Sequence, residues 1–182
     1  MARLTKADWL ELGSDLLREQ GPDALTIDRL TEAAGKTRGS FYHHFTDRGL
    51  FLADLVAHWR MRSFDGRATD LPALDDVAAV RAFLRAEPFG MDHRFERALR
   101  RLAVTEPIVR RGLDEVDRMR VDALAVLIAA LRPETVDARA EAFVQYAVAV
   151  GSQWLIDDPA DPRLPGIAQA AYRLFGLSKD KR

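Results

Sequence analysis

Residues 26–51, TIDRLTEAAGKTRGSFYHHFTDRGLF, decide the fold of this 182-residue chain. Thr26 precedes a short segment of helical periodicity that stops at Gly35, and glycine readily adopts the left-handed conformation of a helix end. A second short helix is predicted from about Thr37 to Phe45, and Asp47 is a good N-cap for a longer helix after it. The stretch therefore predicts two short helices joined by a tight turn, followed at once by a third helix.

The second short helix carries an unusual surface for its length. Residues 37–44 provide one guanidinium, two hydroxyl side chains, a glycine, a tyrosine and two histidines. Such groups donate hydrogen bonds to phosphates and base edges, and a glycine lets the backbone lie close to DNA. Phe41 and Phe45, spaced i to i+4, are expected to pack inward. We interpret the surface as a DNA recognition helix; the alternative is a three-helix corner whose polar residues simply face water.

Side-chain chemistry gives the contacts expected around this helix. Thr26 begins a helix, and helix N-termini are natural phosphate sites. The first turn of a recognition helix reaches base edges, which implicates Thr37, Arg38 and Ser40. Arg48, at the start of the following helix, is predicted to clamp a phosphate.

The composition limits the classes of function. Apolar residues make up 48% of the chain and charged residues 30%. The net charge of -1 counts mildly against nucleic-acid binding, but residues 36–48 contain Lys36, Arg38 and Arg48 against a single acid, Asp47. A small basic face on a neutral protein suits recognition of one short site better than non-specific coating of DNA. Cysteine is absent, so disulfides and thiolate chemistry are excluded and a reducing cytoplasm is expected. We expect no signal peptide and no membrane span, because the most apolar stretch, residues 123–131, is too short to cross a bilayer.

Helix start and stop signals organise the rest of the chain. The first helix is predicted at Lys6 to Gln20, and the pattern lapses at residues 66–72, which we interpret as a hinge. We expect an all-α protein of about nine helices, with a three-helix helix-turn-helix head at residues 1–50 and a C-terminal effector-binding and dimerisation bundle at residues 51–182. The bundle helices are predicted at residues 74–87, 92–105, 107–131, 134–157 and 164–177.

Residues 33–45, AAGKTRGSFYHHF, with Leu25-Thr26 before them and Asp47-Arg48 after them, closely resemble the DNA-binding domain of TetR-type bacterial transcriptional regulators. The resemblance covers about residues 5–55. It implies an all-helical homodimer, a C-terminal domain that binds a small effector, and a dimer bundle built from the last two helices. By position, it implies DNA contacts from Thr26, Thr37, Arg38, Gly39, Ser40, Tyr42, His43 and Arg48.

Three residues depart from the family pattern. Lys36 replaces an apolar residue in the turn and is added to the predicted DNA contacts as a phosphate ligand. Thr31 replaces a small alanine in the helix that supports the turn, and Gly49 replaces an acid after Arg48. None of the three removes a predicted contact residue.

Two apolar stripes near the end of the chain predict a dimer interface, although an internal core is the alternative. Small residues permit close helix approach, and two helices this apolar have little else in the chain to cover them. The predicted interface consists of Phe143, Ala147, Val150, Gly151, Ile167, Ala170, Ala171 and Leu174. Candidate effector contacts have a polar tip in an apolar region, and they are His93, Gln145, Tyr146, Gln153 and Trp154.

Seven arginines make the middle of the C-terminal half basic, and acidic residues lie near them at helical spacing, where opposite charges can pair. A salt-bridged surface is the main interpretation. The alternative is that one arginine turns inward and holds an acidic effector. The seven are Arg97, Arg100, Arg101, Arg110, Arg111, Arg118 and Arg120.

No clustered nucleophile, base or metal set stands out, so we expect neither an enzyme nor a bound cofactor. His43 and His44 are adjacent on a helix and point about 100° apart, which disfavours a shared metal ion. The sequence therefore predicts a ligand-responsive repressor that binds a palindromic double-stranded DNA operator as a homodimer. The alternative is a helical adaptor that acts through protein-protein contacts of its C-terminal bundle.

Overall fold

A computed structural model describes residues 4–63, 71–85, 92–156, 158 and 161–177. These residues form nine α-helices and no strand, which confirms the all-α prediction. Most of the predicted hinge at residues 66–72 lies outside the described residues. The helices are α1 (Lys6–Gln20), α2 (Ile27–Ala34), α3 (Arg38–Tyr42), α4 (Arg48–Ser63), α5 (Val77–Arg85), α6 (His93–Leu102), α7 (Pro107–Leu131), α8 (Ala138–Leu155) and α9 (Leu164–Leu174).

Local capping signals explain where the first helices begin and end. The Thr5 hydroxyl accepts a hydrogen bond from the Asp8 backbone N–H (3.2 Å), and the Asp8 carboxylate accepts one from the Thr5 N–H (2.7 Å). This reciprocal pair is a capping box, and it starts α1 at the predicted residue. Gly35 ends α2 in the left-handed region (φ 59°), a conformation that most other residues adopt only with strain.

Several helix ends differ from the sequence prediction. α6 ends at Leu102 rather than residue 105, α8 at Leu155 rather than residue 157, and α9 at Leu174 rather than residue 177. α5 starts at Val77 rather than residue 74, and α8 starts at Ala138 rather than residue 134. In each case an aspartate just before the helix, Asp76 or Asp137, accepts a hydrogen bond from the backbone N–H three residues later (2.9 Å). These carboxylates are better N-caps than the residues chosen from periodicity. α3 ends at Tyr42, three residues before the predicted end at Phe45.

The chain divides into two compact units. Unit 1 comprises residues 1–66 and 91–116, and unit 2 comprises residues 67–90 and 117–182. Unit 1 therefore contains α1 to α4, α6 and the beginning of α7, whereas unit 2 contains α5, the rest of α7, α8 and α9. The predicted functional division at residue 50 remains a prediction.

Four aromatic rings form the centre of unit 1. Phe41 lies 5.6 Å from Trp9, 5.1 Å from Phe45 and 5.7 Å from Phe51, measured between ring centroids, and all four side chains are buried. A five-residue helix is too short to be stable alone, so tertiary packing must hold it. Phe41, the buried residue of α3, supplies that anchor, which confirms the prediction that Phe41 and Phe45 pack inward.

Unit 2 buries a smaller set of apolar side chains. Most come from α5, α7 and α8, including Val80, Leu84, Leu124, Leu127, Ile128 and Ala142, and one, Leu177, follows α9. α9 has no buried residue at all. Among the described helices, none combines the length and the hydropathy that a bilayer crossing requires.

Candidate nucleic-acid interface

A threonine caps the start of each of the two short helices, α2 and α3. The Thr26 hydroxyl accepts a hydrogen bond from the Arg29 N–H (3.3 Å) at the start of α2. The Thr37 hydroxyl accepts one from the Ser40 N–H (3.4 Å) at the start of α3. Both hydroxyls keep their own hydrogen for donation, so each cap can still offer a donor to an acceptor outside the protein.

Most of the predicted DNA contacts lie at the surface of unit 1. The Tyr42 side chain is 51% exposed although its neighbour Phe41 is fully buried. This arrangement separates an anchoring side of α3 from an outward side. The exposed predicted contacts are Thr26, Thr37, Arg38, Gly39, Tyr42 and His43, and the half-buried ones are Lys36, Ser40 and Arg48.

Arg38 is exposed but already has a partner within unit 1. Its Nε donates to Oδ1 of Asp28 in the first turn of α2 (2.7 Å), and its Nη2 lies 2.5 Å from the same oxygen. The hydrogen bond to Asp28 raises the pKa of the Arg38 guanidinium above its ordinary value. The side chains of Arg38 and Asp28 are 65% and 67% exposed, so water competes for both groups.

In this structure the Arg48 guanidinium, which is predicted to bind a phosphate, is held by two partners within unit 1. Its Nε donates to the Leu25 carbonyl oxygen (2.6 Å), and its Nη1 pairs with Glu106, just before α7. Both side chains of the ion pair are half-buried. The guanidinium thus connects the start of α4 to two other segments of unit 1, a structural arrangement that the sequence analysis did not anticipate. Its predicted phosphate contact remains a hypothesis.

Two of the departures from the family pattern have local explanations. Thr31 is buried, and its hydroxyl donates to the carbonyl oxygens of Ile27 (2.9 Å) and Asp28 (3.0 Å) in the preceding turn. The helix therefore satisfies this extra polar group internally. At Gly49, an added Cβ would lie 3.1 Å from Oδ1 of Asp47, which caps α4 by accepting from the Leu50 N–H. A glycine keeps that cap uncrowded.

Comparison with known proteins agrees with this geometry. The family model described as bacterial regulatory proteins, tetR family, matches residues 10–53. The chain is 28% identical over 123 residues to the HTH-type transcriptional repressor AcnR of Corynebacterium diphtheriae, covering 66% of this chain and 62% of that one. It is 42% identical over 50 residues to AcnR of Corynebacterium glutamicum, covering 27% of each.

Residues 10–53 of the chain thus match the N-terminal domain of the tetR family of bacterial regulatory proteins. The chain spans less than two thirds of the length of either AcnR relative that it matches. A TetR-family transcriptional regulator from Mesorhizobium loti has the same fold, with a TM-score of 0.71, 16% identity, and coverage of 93% of this chain and 94% of that one. A transcriptional regulator from Saccharomonospora viridis in complex with choline gives a TM-score of 0.72 at 14% identity, covering 94% and 95%. At these identities the likeness shows the fold alone.

The predicted effector contacts fall into different environments. His93 is exposed at the start of α6 in unit 1, whereas the other four residues lie on α8 in unit 2. Only Tyr146 and Gln153 are buried. Gln145 is half-buried, and the Trp154 side chain is largely exposed. Tyr146 and Gln153 are seven residues apart, so they lie on one side of the helix.

Arg120 is the arginine that turns inward. Its side chain is fully buried in unit 2, and its Nη1 donates to the Tyr146 hydroxyl oxygen (3.2 Å). That hydroxyl in turn donates to Oδ1 of Asp117 (2.6 Å). Burial raises the pKa of Tyr146 to about 12, against an ordinary value of 10.0. The three side chains form a polar chain between α7 and α8, in which Arg120 and Tyr146 are buried and Asp117 is half-buried.

The predicted dimer interface is accessible in the protomer. Phe143 and Leu174 are 63% and 80% exposed, and Ile167 is also exposed. Ala147 is exposed as well, and the remaining four predicted residues, Val150, Gly151, Ala170 and Ala171, are half-buried. None of the eight is buried within its own chain, so the alternative of an internal core does not account for them. The interface itself stays a prediction.

Sequence reasoning missed Asp28, Glu106 and Asp117 as partners of Arg38, Arg48 and Tyr146. For Asp28 a signal existed, because an acid in the first turn of α2 and an arginine in the first turn of α3 are brought together by the tight turn. Glu106 is 58 residues from Arg48 in sequence, and no local pattern predicts that contact.

Proposed function

We propose that this chain is a sequence-specific DNA-binding transcriptional regulator, a ligand-responsive repressor that binds a palindromic operator as a homodimer. The observation that carries the proposal is α3: a five-residue helix anchored by Phe41 that carries Arg38 and Tyr42 exposed. A short helix held by a rigid aromatic centre suits insertion into a major groove. The repressors named among the similar proteins support the same conclusion.

A second copy of the chain supplies the other half of the proposed interface with DNA. The exposed apolar side chains of α8 and α9 are the surface that a two-fold partner would cover. A two-fold dimer places two recognition helices about one duplex turn apart, ~34 Å. Operator half-sites of that spacing, related by a palindrome, are therefore the expected target.

Unit 2 is the proposed site of effector binding. Arg120, Tyr146 and Gln153 are polar and almost completely buried, and a few buried polar groups among apolar residues are what a selective small-molecule site requires. The choline complex of the S. viridis regulator supports effector binding by this fold. The effector must bind the form with low DNA affinity more tightly in order to release the operator. Such a repressor works in the cytoplasm and has no catalytic role.

A genomic-fragment selection followed by a salt titration tests the proposal. The purified full-length protein should enrich a palindromic sequence. The logarithm of its affinity should fall linearly with the logarithm of salt concentration, by about 0.9 for each phosphate neutralised. The adaptor alternative instead expects little affinity for duplex DNA and no enriched sequence. That result would exclude the repressor.

Two arginine variants locate the interface. Arg38→Ala should abolish the preference for the selected operator while the fold and the mass of the oligomer stay unchanged. Arg110→Ala is the matched control, because Arg110 is equally exposed (63%) and is also paired with an aspartate, Asp114, on α7. Equal operator protection by the parent and Arg38→Ala would show that α3 is not the recognition helix.

A further inference from the structure

The contact between Asp28 and Arg38 uses one particular edge of the guanidinium. Nε and Nη2 both lie against a single oxygen, Oδ1 of Asp28, at 2.7 and 2.5 Å. A guanidinium has five N–H donors in a planar fork, and this arrangement occupies the side edge. The end edge, formed by Nη1 and the second hydrogen of Nη2, is left for another acceptor pair.

We propose that Asp28 is a positioning residue that holds Arg38 for end-on, bidentate recognition of a guanine. The inference rests on the proposed function, since it presumes that α3 enters a major groove. Guanine presents O6 and N7 as two adjacent acceptors there, and an arginine fork matches that pair. Adenine and thymine present one acceptor beside a donor or a methyl group, so the same edge discriminates against them. Each operator half-site therefore contains a G·C pair opposite Arg38.

The exposure of the pair argues that its role is orientation rather than stability. Both side chains are about two-thirds exposed, and ion pairs of that kind contribute little to folding. A long arginine side chain otherwise samples many rotamers, and fixing it before binding removes an ordering cost from recognition. The Asp28 carboxylate also adds negative charge close to the expected phosphates, which weakens attraction to any DNA sequence. The pair thus favours selectivity over general affinity.

The test is a selection from randomised duplexes with the full-length protein and five variants, followed by affinity measurements on the selected site. The parent should select a G·C pair at one position in each half-site. Arg38→Ala and Arg38→Lys should both lose that preference, because lysine keeps the charge but lacks the fork. Asp28→Ala should reduce the preference about 5- to 10-fold, part of the discrimination that a good bidentate pair gives. Affinity for unrelated DNA should remain equal or rise.

Glu32→Ala is the matched control, because Glu32 is an exposed acid on the same helix, one turn later. It removes the same charge and should leave the base preference unchanged. The double variant Asp28→Ala/Arg38→Ala should show the preference of Arg38→Ala alone, since Asp28 acts only through Arg38. Thermal unfolding should be nearly the same for all variants.

The outcomes separate this inference from the proposed function. A parent that selects a sequence while Asp28→Ala retains the full preference overturns the positioning role only. The same holds if Glu32→Ala and Asp28→Ala change the preference equally, or if the Arg38-dependent position is not G·C. A parent that selects no sequence overturns both this inference and the proposed function.

Discussion

Unit 1 and α8–α9 of unit 2 arrange their side chains in opposite ways. In unit 1 the aromatic rings of Trp9, Phe41 and Phe51 are fully buried, and the polar residues of α3 face outward. In unit 2, Phe143 and Leu174 are exposed while the guanidinium of Arg120 is fully buried. Unit 1 thus buries its large aromatic rings, whereas unit 2 leaves an aromatic ring and aliphatic side chains of α8 and α9 exposed for a partner to cover.

This difference indicates which kind of partner each unit is suited to bind. A unit that buries its rings and displays donors is complete as a fold and is prepared for a polar partner such as DNA. A unit that displays aromatic and aliphatic side chains gains from association with an apolar surface. We therefore expect substitutions in unit 1 to act on folding or DNA binding, and substitutions on the exposed face of α8 and α9 to act on assembly.

Leu174→Asp should have the largest effect, and it should act on assembly rather than folding. Full burial of a leucine contributes about 1.5–3 kcal/mol. A two-fold interface contains each residue twice, so the loss should be about 3–6 kcal/mol, or about 100-fold or more in the dimer dissociation constant. Sedimentation at graded concentrations measures it. Val136→Asp, at a fully exposed position before α8, is the control. An unchanged dimer in Leu174→Asp would remove α9 from the interface.

Phe41→Ala should destabilise unit 1 by about 3–5 kcal/mol, because it removes a fully buried ring and leaves a cavity. The loss also removes its contacts to three buried neighbouring rings, and with them the anchor of α3. Urea unfolding followed by tryptophan fluorescence measures the change. Leu50→Ala, at a half-exposed position on α4, should cost far less. Similar costs for the two variants would mean that the aromatic centre does not hold α3.

Local signals predicted unit 1 well because they act within a few residues. The capping box at Thr5 and Asp8 and the left-handed end at Gly35 are decided by neighbours in sequence, so α1 and α2 have the expected bounds. The starts of α5 and α8 were missed because periodicity was preferred to the caps at Asp76 and Asp137.

Contacts between distant segments set the limit of prediction. Seven arginines have nearly the same local surroundings, and only tertiary packing against α8 selects Arg120 for burial. The partner of Arg48 likewise depends on how α4 and the start of α7 meet within unit 1. Spacing identified the surface near α3, but the partners of its charged residues required the folded chain.

Tyr146→Phe tests whether the polar chain of Arg120, Tyr146 and Asp117 in unit 2 stabilises the fold. Burial raises the pKa of Tyr146 to about 12, so the folded protein holds the phenolic proton more tightly than the unfolded chain, whose pKa is about 10. The resulting contribution to the free energy of unfolding is fully present below pH 10. It is lost as the pH rises from 10 to 12, and it amounts to about 2–3 kcal/mol.

The measurement is the difference in unfolding free energy between the parent and Tyr146→Phe at several pH values. Between pH 7 and 9 the gap should be constant, at about 1–3 kcal/mol, because Asp117 and Arg120 lose a buried partner. Above pH 10 the parent should lose stability relative to the variant. A gap that stays constant up to pH 12 would show that Tyr146 is not shielded from water.

Arg48→Met should have the smallest effect, and it distinguishes a structural from a DNA-contacting arginine. The variant should destabilise unit 1 by about 1 kcal/mol, since it breaks the partly buried pair with Glu106. Glu106→Gln should cost a similar amount, and the double variant should cost less than the sum, because the two groups share one interaction. On operator DNA, the salt dependence of Arg48→Met should match that of the parent. A slope shallower by about 0.9 would show instead that Arg48 leaves Glu106 and neutralises a phosphate in the complex.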